Sequence, residues 1–340
     1  MVNVGIIGVT GYAGEELIDI LLKHPSVRIA NISAKIDKPR RISDIFPKFK
    51  NRIDLVCSEP DLAKIASDCD VVFLALPHTV SMGIVPGLLK AGKKVIDLSA
   101  DYRFKEAKIY EKFYNTRHTD KPHIAGAVYG LPEIYRAKIR NALLIANPGC
   151  YPTVSILALA PLVALDLIDL DSIIIDAKSG VTGAGRKVAE NFLFSEINDD
   201  FKAYKVNSHQ HAPEINQELS KLSGKKIEVT FVPHLLPLDR GILATIYARK
   251  KKGAIRKTQN LFTLYKNFYK KEPFVRVKNE GDFPRIKDVF KTNFCDIGIK
   301  EEKDAIIIIA AIDNLLKGAA GQAVQNMNII FKFPEDTALI

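Results

Sequence analysis

Cysteine is scarce in this chain. The four present, Cys57, Cys69, Cys150 and Cys295, have no framework spacing, which argues against a disulfide-stapled scaffold and suits thiols kept reduced in a cytoplasmic enzyme. No run approaches the roughly 18 uninterrupted apolar residues of a membrane-crossing helix. The richest, TVSILALAPLVALDLI at 153–168, contains Pro161 and Asp166 and reads as a buried helix and its exit. The opening VNVGIIG lacks the basic, apolar and cleavage regions of a secretory leader, so a cytoplasmic location is expected. There is no low-complexity segment and no internal repeat. The short basic clusters KPRR (38–41) and ARKKKG (248–253) come without a nucleic-acid module signature. Neither a membrane nor a nucleic acid is an expected partner.

What remains is ordinary globular material for two domains: 340 residues, 47% hydrophobic and 26% charged. The net charge of +10 fits a lysine-rich surface and favours the approach of small anions. In the first half, NVGIIG (3–8) reads as a strand and YAGEELIDILLKH (12–24) as an amphipathic helix with Leu17, Leu21 and His24 at helical spacing. VRIANISA (27–34), DVVFLALPH (70–78), KKVIDLSAD (93–101) and ALLIAN (142–147) read as strands, and SMGIVPGLLKAG (81–92) as a helix stopped by glycine. The alternation predicts an α/β fold with a doubly wound parallel sheet and right-handed crossovers.

GVTGYAG joins the first strand to the first helix and spaces Gly8, Gly11 and Gly14 as G-x-x-G-x-x-G. A tight turn, close backbone approach to a pyrophosphate and a helix N-terminus are what a dinucleotide needs. Coenzyme contacts are expected at Gly8, Thr10, Gly11, Tyr12, Ala13 and Gly14. About 20 residues further on, an NAD enzyme places Asp or Glu for the ribose hydroxyl. Here Ser33 and Lys35 stand in that region with Arg40 and Arg41 behind them, which favours NADP(H); Asp37 dissents and is expected to face solvent. Pro77 and His78, ending a strand near the same crevice, join the expected coenzyme set.

NPGCYPT (147–153) puts Cys150 between a Pro-Gly break and an apolar helical run. That position, at or just before a helix N-terminus in an exposed turn, favours the thiolate and offers N–H groups to an oxyanion. Cys57, Cys69 and Cys295 read as structural. Downstream, NSHQHAPEINQEL (207–219) carries His209 and His211, which would share a face if extended. A metal pair lacks a third ligand cluster, so no metal is expected, and general acid/base work is the better reading. Glu214 opens the next helix and would orient an imidazole.

The second half supplies a substrate domain. DSIIIDAKSG (171–180) runs into the glycine-rich loop SGVTGAGRK (179–187), IEVTFVPHLLPLDRGILATIYARK (227–250) reads as two strands around a connection bearing Arg240, and DAIIIIAAIDN (304–314) is a buried strand. IRKTQNLFTLYKNFYKK (255–271) and DNLLKGAAGQAVQNMNII (313–330) read as helices, the latter with Gly318, Ala319, Ala320 and Gly321 for close packing and a return to the nucleotide domain. Arg103, Arg186 and Arg240 are candidates for holding a phosphate or carboxylate, Arg186 first because of its glycine loop.

GVTGYAG, LPH, LSADYRF, NPGCYPT, SGVTGAGR, HQHAPEI, VPHLLPLDRG and DNLLKGAAGQAVQN, spread over residues 8 to 326, together resemble the N-acetyl-gamma-glutamyl-phosphate reductase family of arginine biosynthesis. The resemblance implies a Rossmann NADP-binding domain over 1–149 and 314–340, and a glyceraldehyde-phosphate-dehydrogenase-like α+β domain for catalysis, substrate and oligomerisation over 150–313. It implies Cys150 as nucleophile, His211 as acid/base, NADP(H) as coenzyme, an acyl-phosphate substrate, and a homo-oligomer, dimer or tetramer. Asn314 is expected at the coenzyme, and Asn147, Gly183, His209 and Glu214 join the three arginines around the substrate. The expected reaction forms a Cys150 thioester, releases phosphate and ends as the semialdehyde. The alternative is the aminoadipyl-phosphate reductase of lysine biosynthesis, which differs around the cysteine and the glycine loop. Aspartate-semialdehyde dehydrogenase shares the chemistry, but its motifs match less well. Which histidine moves the proton, and which arginine meets which anion, stays open.

Overall fold

The structure, a computed structural model, describes residues 1–186, 188–254 and 260–340. These form two compact units, Met1–Pro148 with Ala319–Ile340, and Gly149–Gly318.

The first unit is built on six parallel strands: β1 (Val2–Ile7), β2 (Val27–Ser33), β3 (Val71–Leu74), β4 (Lys94–Asp97), β5 (Val128–Tyr129) and β6 (Leu144–Ala146). Their order is β2-β1-β3-β4-β6-β5. The chain leaves β1 toward β2 and returns on its other side as β3, so the order reverses between β1 and β3, where a doubly wound sheet takes its ligand. All four residues of β3 are buried, the mark of a parallel strand covered on both faces. Pairing stops at Leu74 rather than running to residue 78 as the sequence suggested. The following loop turns away at Thr79, whose φ is +77°. Helix α1 (Tyr12–Leu21) buries Leu17, Ile18 and Leu21. The C-terminal helix begins at Ala320, not at 313, and is buried along its whole length within this unit.

The second unit carries a seven-stranded mixed sheet: β7 (Ile174–Ser179), β8 (Lys202–Ala203), β9 (Thr230–Leu235), β10 (Ile242–Arg249), β11 (Val275–Val277), β12 (Cys295–Glu301) and β13 (Ala305–Ile312), in the order β8-β9-β7-β10-β13-β12-β11. Along β10, Ile242, Ala244, Ile246 and Ala248 are buried while the residues between them are half or fully exposed, the period-two pattern of a sheet covered on one face. Helix α2 (Cys150–Ala164) supplies much of the core, with every residue from Tyr151 to Val163 buried. Pro161 inside it cannot donate to the carbonyl four residues back. Tyr269 fills the gap, its hydroxyl donating to Leu157 O at 2.5 Å, and Tyr265 donates to Ala158 O at 2.7 Å. Helix α3 (Ala212–Ser223) lies against α2. Helix α4 (Leu261–Phe268) is shorter than the 255–271 span read from sequence, whose residues 255–259 lie outside the described residues. No helix among the described residues is long and apolar enough to cross a membrane.

Candidate active site

Cys150 is the first residue of α2, and Gly149, with extended backbone, is its N-cap. The turn is not exposed as expected: Asn147, Pro148 and Gly149 are buried, and Cys150 alone is partly open. Main chain packs tightly on its inner side, since a Cβ on Gly318 would lie 2.7 Å from Cys150 Cβ and 2.5 Å from Asn314 O. Gly149 N–H donates to Glu214 Oε1 at 2.9 Å, and Glu214 is fully buried in the first turn of α3. This bond ties the N-termini of α2 and α3 together, with a carboxylate where both helix dipoles favour one.

His209 and His211 sit in a turn ahead of α3, not in an extended segment. The turn still joins them: His211 N–H donates to His209 Nδ1 at 3.0 Å, and the rings are 4.8 Å apart. Tyr151, next to the cysteine, lies 5.5 Å from the His209 ring and 5.9 Å from the His211 ring. Tyr204 stands 5.5 Å from His209, with its hydroxyl 3.2 Å from that of Tyr151. Burial, with the charge of Cys150 adding and the bond to Tyr151 opposing, pushes the Tyr204 phenol up to about 12. Burial raises the Tyr151 phenol as well, so both phenols stay protonated. These tyrosines escaped the sequence reading. Tyr151 was marked only by its place in NPGCYPT, and Tyr204 carried no signal.

The glycine loop after β7 is anchored to the segment before β10. Val181 N–H donates to Leu238 O at 2.8 Å, and a Cβ on Gly180 would come within 2.7 Å of the same carbonyl. Gly183 is roomier, its nearest neighbour being Ser179 Oγ at 3.4 Å from such a Cβ, and Arg186 is exposed on the loop; Lys187 lies outside the described residues.

The other two arginines of the expected substrate set make bonds within the chain. Arg240 is buried and pairs with both oxygens of Asp313 at 3.0 Å. Arg103 is buried and donates to Asn147 O and Leu98 O, both at 2.8 Å, tying together the segments that follow β6 and β4. Asn147 donates from Nδ2 to Ala319 O at 3.1 Å and accepts from Asn326 Nδ2 at 3.1 Å. Asn314, expected at the coenzyme, accepts from Gly241 N–H at 2.7 Å and donates to Thr182 Oγ1 at 3.0 Å. Its amide thus braces the glycine loop.

In the first unit, Gly8 has φ +99°, and a Cβ there would come within 2.2 Å of Ala75 O; a Cβ on Gly14 would come within 2.3 Å of Gly8 O. Both positions require glycine, and together they make the tight turn a pyrophosphate needs. Gly11 is the N-cap of α1 and no side chain caps the helix, so backbone N–H groups of the first turn, around Tyr12 and Ala13 behind Thr10, are presented to an anion. Ser33 ends β2. Its carbonyl accepts from Gly8 N–H at 2.7 Å, while its buried hydroxyl has no hydrogen-bond partner. Lys35 and Asp37 are exposed. The crowded glycines and the orphaned hydroxyl fit a dinucleotide. Pro77 and His78 are exposed at the end of the β3 loop, and Ala100 N–H donates to His78 Nδ1 at 3.0 Å. Among the described residues no three or more His, Cys, Asp or Glu side chains gather to hold a metal ion.

A parallel nucleotide-binding sheet followed by a mixed sheet, with a cysteine opening the helix between them in sequence, is the layout of the semialdehyde dehydrogenases. Residues 3–142 match the family described as semialdehyde dehydrogenase, NAD binding domain, and residues 150–314 match semialdehyde dehydrogenase, dimerisation domain. The fold is similar to that of aspartate semialdehyde dehydrogenase II from Vibrio cholerae, with a TM-score of 0.73 at 17% identity over 98% of both chains. The chain is also 48% identical over 342 residues to N-acetyl-gamma-glutamyl-phosphate reductase of Acetivibrio thermocellus, covering 100% of this chain and 98% of that protein. It is 49% identical over 340 residues to the same-named protein of Pelotomaculum thermopropionicum, covering 99% and 97%. The chain belongs to the N-acetyl-gamma-glutamyl-phosphate reductase family.

Proposed function

We propose that this chain reduces N-acetyl-L-glutamyl 5-phosphate to N-acetyl-L-glutamate 5-semialdehyde and inorganic phosphate with NADPH, in arginine biosynthesis. The observation that carries the reading is a half-open cysteine at a helix N-terminus, backed by a buried carboxylate and followed directly by Tyr151, whose ring lies against two imidazoles and whose hydroxyl meets that of Tyr204. Cys150 attacks the acyl-phosphate carbon as thiolate, the C–O bond to phosphate breaks, and a thioester remains on Sγ. The N–H groups of the first turn of α2 face the oxyanion of that step. His211 takes the thiol proton at the outset, steadies the thiohemiacetal oxygen with it, and hands it back to Sγ as the C–S bond breaks and the aldehyde leaves, while His209 holds it in place through the bond to its main chain. When bound, NADPH supplies the hydride that reduces the thioester. Arg186, on the glycine loop beside Gly183, meets an anionic group of the substrate.

The residues that would hold NADPH are the Gly8–Gly14 turn, the loop at Pro77 and His78, and Ser33 with Lys35; the unpaired Ser33 hydroxyl and the Lys35 ammonium favour the extra phosphate of NADP over a bare ribose. In this reading residues 1–149 with 314–340 carry the coenzyme, and 150–313 carry the chemistry and a homo-oligomer contact, dimer or tetramer. The matched family's description as a dimerisation domain supports that contact, as do Leu243, Ile307 and Ile309, half-exposed on the open face of the second sheet beside exposed Tyr247. The setting is cytoplasmic, where the thiol stays reduced.

Substituting Cys150→Ser tests the reading. The reverse reaction, NADP⁺ reduction by the semialdehyde and phosphate, should fall at least about a thousandfold while NADPH binding is unchanged. Residual turnover near the parent's would reject the thioester route. Equal use of NADH and NADPH would reject the role given to Ser33 and Lys35, and preference for an aminoadipyl substrate would move the chain to the lysine-type reaction.

A further inference from the structure

The loop after β3 holds a strained residue that the proposed chemistry leaves unexplained. Thr79 has φ +77°, a left-handed conformation in which a β-branched side chain is crowded. Three hydrogen bonds from residues 100 and 101 keep the loop there. Ala100 N–H donates to His78 Nδ1 at 3.0 Å, Thr79 N–H to Asp101 Oδ1 at 2.7 Å, and Met82 N–H to Asp101 Oδ2 at 3.0 Å. The Tyr110 hydroxyl also donates to Asp101 Oδ1, at 2.9 Å. Asp101 is buried, and every one of these partners is a donor. A carboxylate accepts at both oxygens, whereas an amide of the same shape would turn N–H groups toward one of them.

The clamped loop borders the glycine turn. Ala75 N–H donates to Ile7 O at 2.8 Å, and it is Ala75 O that a Cβ on Gly8 would strike at 2.2 Å. Pro77 and His78 therefore stand at the carboxyl ends of β1 and β3, where the strand order reverses.

We propose that Asp101 is a positioning residue for the coenzyme. Its carboxylate locks the His78–Thr79 peptide in the left-handed turn, so that the loop is preset beside the glycine turn before the dinucleotide arrives. The proposal rests on the reading of this unit as the coenzyme-binding one. It carries a corollary: glycine adopts φ +77° without crowding, so a chain with Thr79→Gly no longer needs the clamp.

The experiment titrates the whole protein with NADPH, following coenzyme fluorescence, in the parent, Asp101→Asn, Thr79→Gly and the double variant. The apo-protein melting temperature is measured in parallel. Asp101→Asn should raise the NADPH Kd about tenfold, the scale of losing hydrogen bonds to a charged group, and the double variant should return to within about threefold of the parent. A lowered melting temperature with unchanged Kd would show a folding role only and overturn the proposal. So would a raised Kd that Thr79→Gly fails to restore. If Asp101→Asn does not fold, Asp101→Glu keeps the charge while displacing the oxygens, and the same two outcomes decide. A parent that binds neither NADPH nor NADH overturns the coenzyme reading and the proposal with it; a parent that binds, with variants that match it, overturns the proposal alone.

Discussion

Arg240→Ala separates two roles that an arginine beside a glycine loop can play. The geometry assigns Arg240 to Asp313: two hydrogen bonds of 3.0 Å join a buried guanidinium to a fully buried carboxylate. Removing the guanidinium leaves the Asp313 charge in the core. Loss of one member of such a pair costs about 3–5 kcal/mol. Three main-chain donors stay on the carboxylate, Lys291 N at 2.8 Å, Leu315 N at 2.9 Å and Leu316 N at 3.0 Å, which holds the loss near the lower end. At about 2–4 °C per kcal/mol for a unit of this size, a loss of about 3 kcal/mol lowers the melting temperature by about 6–12 °C. Circular dichroism melts give the shift. Adding Asp313→Ala to Arg240→Ala should cost less than the two single losses summed, because the stranded charge is removed with its partner. A shift below about 2 °C, together with a tenfold rise in KM for the acyl phosphate, would refute the argument and make Arg240 a substrate ligand.

Tyr269→Phe should lower stability by about 1–3 kcal/mol in urea unfolding, since it leaves the Leu157 carbonyl, already denied a partner by Pro161, unpaired in the core. Burial, and secondarily Asp101, pushes the Asp97 carboxyl up to about 6 from 3.8. The folded value is the higher one, so this group's stabilising contribution is complete below the unfolded value and is lost as pH rises through about 6, a change of about 3 kcal/mol. Asp97→Asn should therefore gain on the parent by up to that amount between about pH 3 and 7, and a difference independent of pH would count against it. Gly318→Ala should lower kcat by about a hundredfold without changing NADPH affinity, because the added methyl group, 2.7 Å from Cys150 Cβ, displaces the thiol. Slower alkylation of Cys150 by iodoacetamide would report the same displacement.

Much of the fold was legible because it is written in short-range patterns. The buried run of β3, the amphipathic period of α1 and the spacing of Gly8, Gly11 and Gly14 are local requirements that each residue meets with its neighbours in sequence. Cys150 announced itself in the same way, through the glycine and prolines around it. The boundaries were less legible. The C-terminal helix starts at Ala320 because residues 313–318 are held by other bonds: Asp313 by Arg240, Asn314 by Gly241 and Thr182, and Gly318 by its N–H bond to Asp313 O at 3.0 Å.

The partners of the substrate-side candidates were hidden for a related reason. An arginine in a sequence is a guanidinium in search of an anion, and nothing local says whether that anion belongs to a ligand or to the chain. Only the folded chain shows Arg240 on Asp313, Arg103 on two carbonyls, Glu214 on the Gly149 amide and Asp101 on the Thr79 amide. By itself the sequence determined the parallel nucleotide-binding sheet, the glycine turn and the helix-opening cysteine, since backbone sterics and periodic burial act over a few residues. The tertiary structure decided the partners of these buried charges, since all but one of those bonds span 22 to 73 residues of chain, the exception being Arg103 to Leu98, and depend on which segments the packing brings together.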